Sequence, residues 1–467
     1  MQQDLTQGSI TRHLLSMGAF MAVGMVFQTL YFLVDLYFVS RLGSAAIAGV
    51  STAGTVFFLV MGATQLVAVG AMALIAQAIG AKDQTGANLL SNQALSLSLA
   101  FGLVTMTVVL LFGGTAVAGV GADAATDAAA QEYLGAFAPG LALMFPSAAL
   151  GAGLRAAGVV GPPMILQTLG VIVNVILAPI LIAGWLTGAP LGVAGAGWAS
   201  TISAGVVCVG LFLLFPRVQT IMRLGLQQMR PRWESWGRIV AVGLPATAEF
   251  LLMFVNMGVV YWVIREVGPQ AQAGFGIGSR IMQSIFLPVM AVAFAAGPIA
   301  GQNFGARNAV RVRETFKQAA LISSALMLSM TAFAHWRGDL MLAPFTEDPA
   351  ALAVAEDYLR IVSLSFVASG LVFTCSSMFQ GLGDTRPSLL ASASRLLTFV
   401  IPAIWLTGQP FFSLHNVWLI SLTSVVAQMG ICLLLLRTQF RRKLAGMEGE
   451  GGRSGEPSPP ARGEWAG

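Results

Sequence analysis

The segment Gln77-Ala78-Ile79-Gly80-Ala81-Lys82-Asp83 returns 225 positions later as Gln302-Asn303-Phe304-Gly305-Ala306-Arg307-Asn308. The same step lays Gly43 on Gly268, Gln93 on Gln318, Glu132-Tyr133-Leu134 on Asp357-Tyr358-Leu359, Gly158 on Gly383 and Pro162 on Pro387, with no gap from first pair to last. A chain written this way is expected to fold as two copies of one unit. Between these markers the sequence is apolar in long runs such as 89–112 and 417–436. Each is about 20 residues, enough to cross a hydrocarbon core at 1.5 Å per residue. Only 10% of residues are charged and 56% are hydrophobic, against about 25% charged in soluble proteins. That polar surface is too small to cover a large soluble enzyme.

The expected fold is an all-α membrane protein with twelve transmembrane helices. The spans run over 12–39, 45–78, 89–112, 131–152, 160–186, 191–215, 238–265, 270–303, 314–336, 355–380, 388–407 and 416–436. One period of 225 holds six spans. Six is even, so both copies enter from the same side, giving two six-helix lobes in a parallel repeat about an axis along the membrane normal. The expected division is an N-terminal lobe (1–216), an interlobe linker (217–237), a C-terminal lobe (238–440) and a Gly/Pro/Ser-rich disordered tail (441–467). Internal duplication in a hydrophobic chain points to a transporter with its substrate path between the halves.

Basic residues set the expected orientation. Arg12, Lys82, Arg155, the cluster Arg217, Arg223, Arg230, Arg232 and Arg238, then Arg307, Arg311, Arg313, Lys317, Arg386, Arg437, Arg441, Arg442 and Lys443 fall on one side. Arg41, Arg265 and Arg337, with Asp123, Asp127, Glu347 and Asp348, fall on the other. Both termini are therefore expected in the cytoplasm of a multi-pass plasma (bacterial inner) membrane protein. The basic loops are read as topology signals, not nucleic-acid contacts. Nine polar residues lead straight into a full-length span, which predicts no cleavable leader. Cys208, Cys375 and Cys432 sit in apolar runs without disulfide or metal spacing. His13, His335 and His415 lie at span ends without a ligand-spaced partner. No metal or cofactor is expected. No nucleophile–base pair appears within a span, so an intramembrane enzyme is not expected either.

Charges inside a bilayer are costly and are functional suspects. Gln28, Tyr31 and Asp35 share one face of span one at i, i+3, i+7. A polar stripe there should face a cavity, and desolvation suits the carboxyl to binding and releasing a proton. Glu249 stands four residues after Pro245 in span seven and shares a face with Met253 and Asn256. Arg280 and Gln283 share a face of span eight; an ion pair of Arg280 with Glu249 is the structural alternative to a coupling role. Arg395 is expected to snorkel towards a span end. Tyr31, Trp262, Phe286 and the methionines suit a cavity for varied organic cations. The two halves differ here: Asp35 aligns with Val260, Glu249 with Gly24 and Arg280 with Thr55.

Leu33-Val34-Asp35-Leu36-Tyr37-Phe38-Val39-Ser40-Arg41-Leu42-Gly43, Ala45-Ala46-Ile47-Ala48-Gly49, Ala76-Gln77-Ala78-Ile79-Gly80-Ala81 and Gln380-Gly381-Leu382-Gly383-Asp384-Thr385-Arg386-Pro387 together resemble the multidrug and toxic compound extrusion (MATE) family. The resemblance covers both halves up to the tail. It implies a V of two six-helix lobes around a cavity, exporting organic cations and drugs in exchange for protons or sodium. It also implies a cation-coupling role for the aspartate at position 35. Family members commonly carry an asparagine on span five with an aspartate four residues later; here these positions are Asn174 and Ala178, so Asn174 alone is left as partner for Asp35. Sodium-type members place acidic residues about one turn beyond Glu249, near Met253, and on span ten, where this chain has none between 361 and 379.

The expected function is secondary export of organic cations or amphipathic drugs by antiport against protons, sodium being the weaker case. Asp35 is the main coupling carboxylate, with Asn174, Glu249 and Arg280 as further coupling candidates. Gln28, Tyr31, Asn256, Trp262, Gln283 and Phe286 are the cavity candidates. The expected partners are drugs, the coupling ion and lipids, and the chain is expected to be a monomer. The alternative is a lipid-linked oligosaccharide flippase of the same broad superfamily, which would favour a cavity rich in arginine and lysine.

Overall fold

The computed structural model describes residues 4–118, 123–185, 188–218, 225, 227–342 and 348–447, leaving out the side chains of 31–36, 116, 216–218, 339 and 446. The side chains of Asp35 and Tyr31 lie outside the described residues, as do Arg217, Arg223, Glu347 and positions 448–467 of the expected tail. The helices are α1 (Ile10–Ser40), α2 (Ser44–Gly80), α3 (Gln84–Val117), α4 (Ala124–Ala156), α5 (Gly161–Ile182), α6 (Gly192–Val218), α7 (Trp233–Ile264), α8 (Pro269–Gly305), α9 (Ala309–Leu342), α10 (Pro349–Val362), α11 (Phe366–Gly381), α12 (Arg386–Arg395), α13 (Ile401–Thr407) and α14 (Leu414–Leu444). No strand occurs among the described residues. Taken with the short turns that join α10 to α11 and α12 to α13, they give 12 stretches long and apolar enough to cross a membrane. Leu103, Leu111, Ile165 and Leu434 are each more than half exposed, as side chains in contact with lipid should be.

The repeat extends to the helix ends. Stepping by 225 carries the bounds of α2 onto α8, α3 onto α9, the start and end of α4 onto the start of α10 and end of α11, and those of α5 onto α12 and α13. The local chemistry that sets these ends repeats too. Asp83 and Asn308 accept the amides of Gly86 (2.8 Å) and Arg311 (3.1 Å), capping α3 and α9. Asp123 and Asp348 cap α4 and α10 through Thr126 and Ala350, and the Thr126 amide holds the Asp123 carboxyl below the usual carboxylate range. Lys82 and Arg307 carry the left-handed turn that reverses the chain, at φ 58° and 55°.

Two spans are broken where sequence periodicity shows continuous helices. A 3-10 turn, Ser363–Ser365, separates α10 from α11; the matching place in α4 holds Pro139. A π turn, Leu396–Val400, separates α12 from α13 and is followed by Pro402, whose missing N–H and ring disfavour an unbroken helix.

Packing within the first half joins α4 to α2, α3 and α6, and α5 to α1 and α6; within the second, α8 meets α9, α10 and α11, and α14 meets α11 and α12. The halves meet where α1 lies on α8 and α7 on α2, and where α2 meets α8. At the last of these a Cβ at Gly80 would run into the Gln302 carbonyl, and a Cβ at Gly305 into the Gln77 carbonyl. This is one contact made twice about the pseudo-two-fold axis. The glutamine side chains repeat it: Gln77 Nε2 donates to the Gly381 carbonyl (2.9 Å) and Gln302 Nε2 to the Ala156 carbonyl (2.6 Å). Each glutamine thereby satisfies a carbonyl at the open end of a helix in the other half.

Two non-helical segments close the same, basic end. Leu5 is fully buried; its amide donates to Gln302 Oε1 (3.2 Å) and its carbonyl accepts from Asn303 (3.1 Å) and Arg311 (3.3 Å). In the first half, the segment before α7 docks in the same way on Gln93, which accepts from the Arg232 amide (2.8 Å) and donates to the Arg230 carbonyl (2.8 Å).

Candidate functional site

Inside the second half, Glu249 of α7 stands among hydroxyls from two other helices. Ser388 Oγ donates to Oε2 at 2.7 Å, Ser376 Oγ lies 3.1 Å from Oε2, and Ser392 Oγ lies 3.2 Å from Oε1. Ser388 is also 2.9 Å from Ser376, and Gln428 Nε2 of α14 donates to Ser392 Oγ at 3.1 Å. Each residue arrives for a local reason. Glu249 is one turn past Pro245 in α7. Ser388 and Ser392 are four apart near the start of α12, which opens on Pro387, and so share its inner face. Ser376 comes back across the Gly381–Asp384 turn from α11. The result is a membrane-embedded carboxylate whose lone pairs are met by neutral donors, not by a cation.

The cradle works in both charge states. A serine hydroxyl is one donor and an acceptor, so it can donate to a carboxylate or, rotated, accept from a carboxylic acid. Removing or adding a proton at Glu249 therefore leaves no polar atom stranded, which matters where an unpaired buried group costs about 1–3 kcal/mol.

The other candidates divide. Asn174 is buried in α5, with Nδ2 3.4 Å from Ser200 Oγ and Oδ1 without a partner among the described residues. Asn256 is buried two turns beyond Glu249; its Nδ2 bonds the Leu252 carbonyl (2.8 Å) and its Oδ1 is without a partner among the described residues. Gln28, Arg280 and Gln283 are exposed on α1 and α8. The ion pair of Arg280 with Glu249 is not formed among the described residues; the serines take its place. Trp262 is half exposed with the Arg265 guanidinium 4.9 Å over its ring. Phe286 is corrected from cavity wall to core: its ring meets Phe366 (5.5 Å) and Phe373 (5.8 Å) edge-on and is nearly fully buried. Arg395 does not snorkel to a span end. It lies 5.6 Å over the Phe399 ring at the π turn, with a buried Nε lacking a partner among the described residues.

Sequence reasoning missed the serines. It looked for a second acid on span ten and passed over hydroxyls; the i, i+4 pair Ser388/Ser392 after a helix-starting proline was the available signal. No cluster of three or more metal-ligating His, Cys, Asp or Glu occurs among the described residues.

Twelve membrane helices in a parallel duplication, with a carboxylate inside the membrane, make the frame of a membrane transporter. The family is settled by comparison: the MatE family model matches residues 21–180 and 245–406, and the chain belongs to that family. It is 26% identical over 419 residues to the multidrug export protein MepA of Staphylococcus aureus, covering 89% of this chain and 91% of that one. Among solved structures it resembles a MATE transporter crystallised in a bent conformation, with a TM-score of 0.89 at 25% identity, covering 95% of this chain and 98% of the other. It also resembles a multidrug resistance MATE transporter in an outward-facing conformation, with a TM-score of 0.86 at 26% identity, covering 94% and 98%.

Proposed function

We propose that the protein exports amphipathic or cationic small molecules from the cytoplasm in exchange for protons, by alternating access between two six-helix lobes. The drug class is carried over from MepA and the MATE neighbours. The coupling reading rests on one observation, the hydroxyl cradle of Glu249. Asp35 is the first-half carboxylate in this reading, with Asn174 as its candidate partner, and Glu249 is its counterpart in the second half.

Protons fit the cradle better than sodium. Its oxygens stand 2.7–3.3 Å apart along the hydrogen bonds. Oxygens holding a hard cation at roughly 2.3–2.6 Å in an octahedron stand about 3.3–3.7 Å from one another, so a cation would have to push most of these pairs apart, whereas a proton needs only a hydroxyl rotation.

The exposed polar side chains Gln28, Arg280 and Gln283 support an aqueous cleft between α1 and α8, since a charged residue in the span is kept from lipid. The excess of basic residues at the end where α2 and α8 meet supports a cytoplasmic assignment for that end. The arrangement described, closed there, then corresponds to a state open outward. In the cycle, an outside proton neutralises a carboxyl, the lobes rearrange, and drug leaves; inward exposure releases the proton. Coupling requires only that proton and drug differ in their affinities for the two states.

The direct test is uptake of a fluorescent organic cation by everted vesicles energised with a pH gradient. Asp35→Asn is expected to lose proton-driven uptake. Uptake at the unmodified level would remove Asp35 from the mechanism.

A further inference from the structure

The groove between the first turns of α9 and the last turns of α14 is unrelated to the Glu249 site. It has a volume of about 330 Å³ and is lined by Phe316, Leu433, Leu436 and Phe440 together with Arg313, Arg437 and Arg441. The Phe316 and Phe440 rings meet 6.1 Å apart, edge to face. Along α14 the lining is graded: Leu433, Arg437 and Arg441 follow one another at four-residue steps, so one helix face passes from apolar to cationic over two turns. All three arginines are exposed.

We propose that this groove is a binding site for an anionic phospholipid of the leaflet at the basic end. The grading is that of a lipid seen from its side. An acyl chain lies against Phe316 and Leu433 at the level of the span, and the phosphate meets the arginine rim, where planar guanidinium donors suit phosphate oxygens. Basic pockets between membrane helices on that side recognise acidic headgroups for this reason.

Two carboxylates, Glu314 beside Arg313 and Asp384 beside Gln439, are engaged by other groups. Glu314 accepts from Gln318, and Asp384 accepts from Gln439 at 2.9 Å with Lys443 at 3.9 Å. Arg437 and Arg441 form no ion pair with the described residues. The rival occupant is the chain itself, because Glu448, Glu450 and Glu456 follow α14. That segment carries Arg453 and Arg462 among its acids and a single large apolar side chain, Trp465, whereas the lipid supplies a phosphate and whole acyl chains together.

The test uses the full chain in mixed micelles, with phosphatidylglycerol or phosphatidylcholine of identical acyl chains and native mass spectrometry to count retained lipid. The unmodified protein is expected to retain phosphatidylglycerol preferentially. Arg437→Gln and Arg441→Gln are each expected to weaken that preference about fivefold, the weight of one basic side chain at an anionic surface. Arg437→Lys with Arg441→Lys should keep much of it. Glycerol phosphate, which has the headgroup charge and no chains, should not compete. Equal retention of the two lipids, selectivity that survives the glutamine variants, or competition by glycerol phosphate would each overturn the assignment. So would binding of phosphatidylglycerol that appears only after truncation at Met447, because the tail would then be the occupant.

Discussion

Glu249→Gln is expected to abolish net proton-driven efflux while leaving the protein folded and able to bind drug. Glutamine keeps the shape of glutamate. Its amide oxygen can accept from Ser388 and Ser376, and its NH2 can donate to the Ser392 oxygen, so the cradle of 2.7–3.2 Å contacts stays satisfied. The change in stability should stay within about 1 kcal/mol, the net worth of a typical hydrogen bond. What disappears is the titrating charge. The gradient-driven drug ratio should fall roughly 5- to 150-fold, the range of typical coupling free energies, while drug exchange at equal pH persists. Ser388→Ala removes the shortest donor and keeps the carboxyl, so it should shift the pH profile of transport without abolishing it. A Glu249→Gln protein that still concentrates drug as well as the parent would show that the serine cradle is structural.

Gly80→Leu and Gly305→Leu are expected to drive the halves apart at the basic end. Each position lies against a backbone carbonyl of the other half, and backbone cannot rotate away as a side chain can. Overpacking a tight contact costs about 1–3 kcal/mol. Here the cost falls only on the state in which α2 and α8 touch, so it moves the conformational equilibrium by about 5- to 150-fold. Spin labels at the exposed, repeat-related positions Thr85 and Val310 should report a longer distance in either variant. The pseudo-symmetry makes a sharper demand: the two single variants should shift the distribution by similar amounts. An unchanged distance distribution in both would mean that the contact can be absorbed locally and does not gate the basic end.

Much of this frame is legible in the sequence. A step of 225 read from glycines and a few polar residues also relates the ends of α2, α3 and α5 to those of their counterparts, because caps and turn glycines set helix ends and these repeat with the step; the expected third span, 89–112, falls short of α3 at both ends. The breaks within the second-half spans are less visible. Pro139 lies inside the unbroken α4 of the first half, while the break at its counterpart, Ser363–Ser365, carries no proline. The cradle was half legible. A glutamate inside a span stands out, while a serine there does not, since hydroxyls in apolar helices commonly bond their own preceding turn, as Ser91, Ser147 and Thr52 do here. Ser376, Ser388 and Ser392 gain meaning only when α7, α11 and α12 converge. Phe286 failed as a cavity residue for a similar reason: an aromatic in an apolar run reads the same against drug as against Phe366 and Phe373. Leu5 sits in a polar stretch and gives no sign that its backbone will be held between Gln302, Asn303 and Arg311.

The central claim, exchange of drug for protons through membrane-embedded carboxyls, is tested most directly in proteoliposomes holding the purified protein, with proton and sodium gradients imposed one at a time. Drug movement is expected to follow the proton gradient, to reverse when that gradient is reversed, and to ignore a sodium gradient at fixed pH. Movement driven by sodium alone, with no response to the proton gradient, would contradict the account.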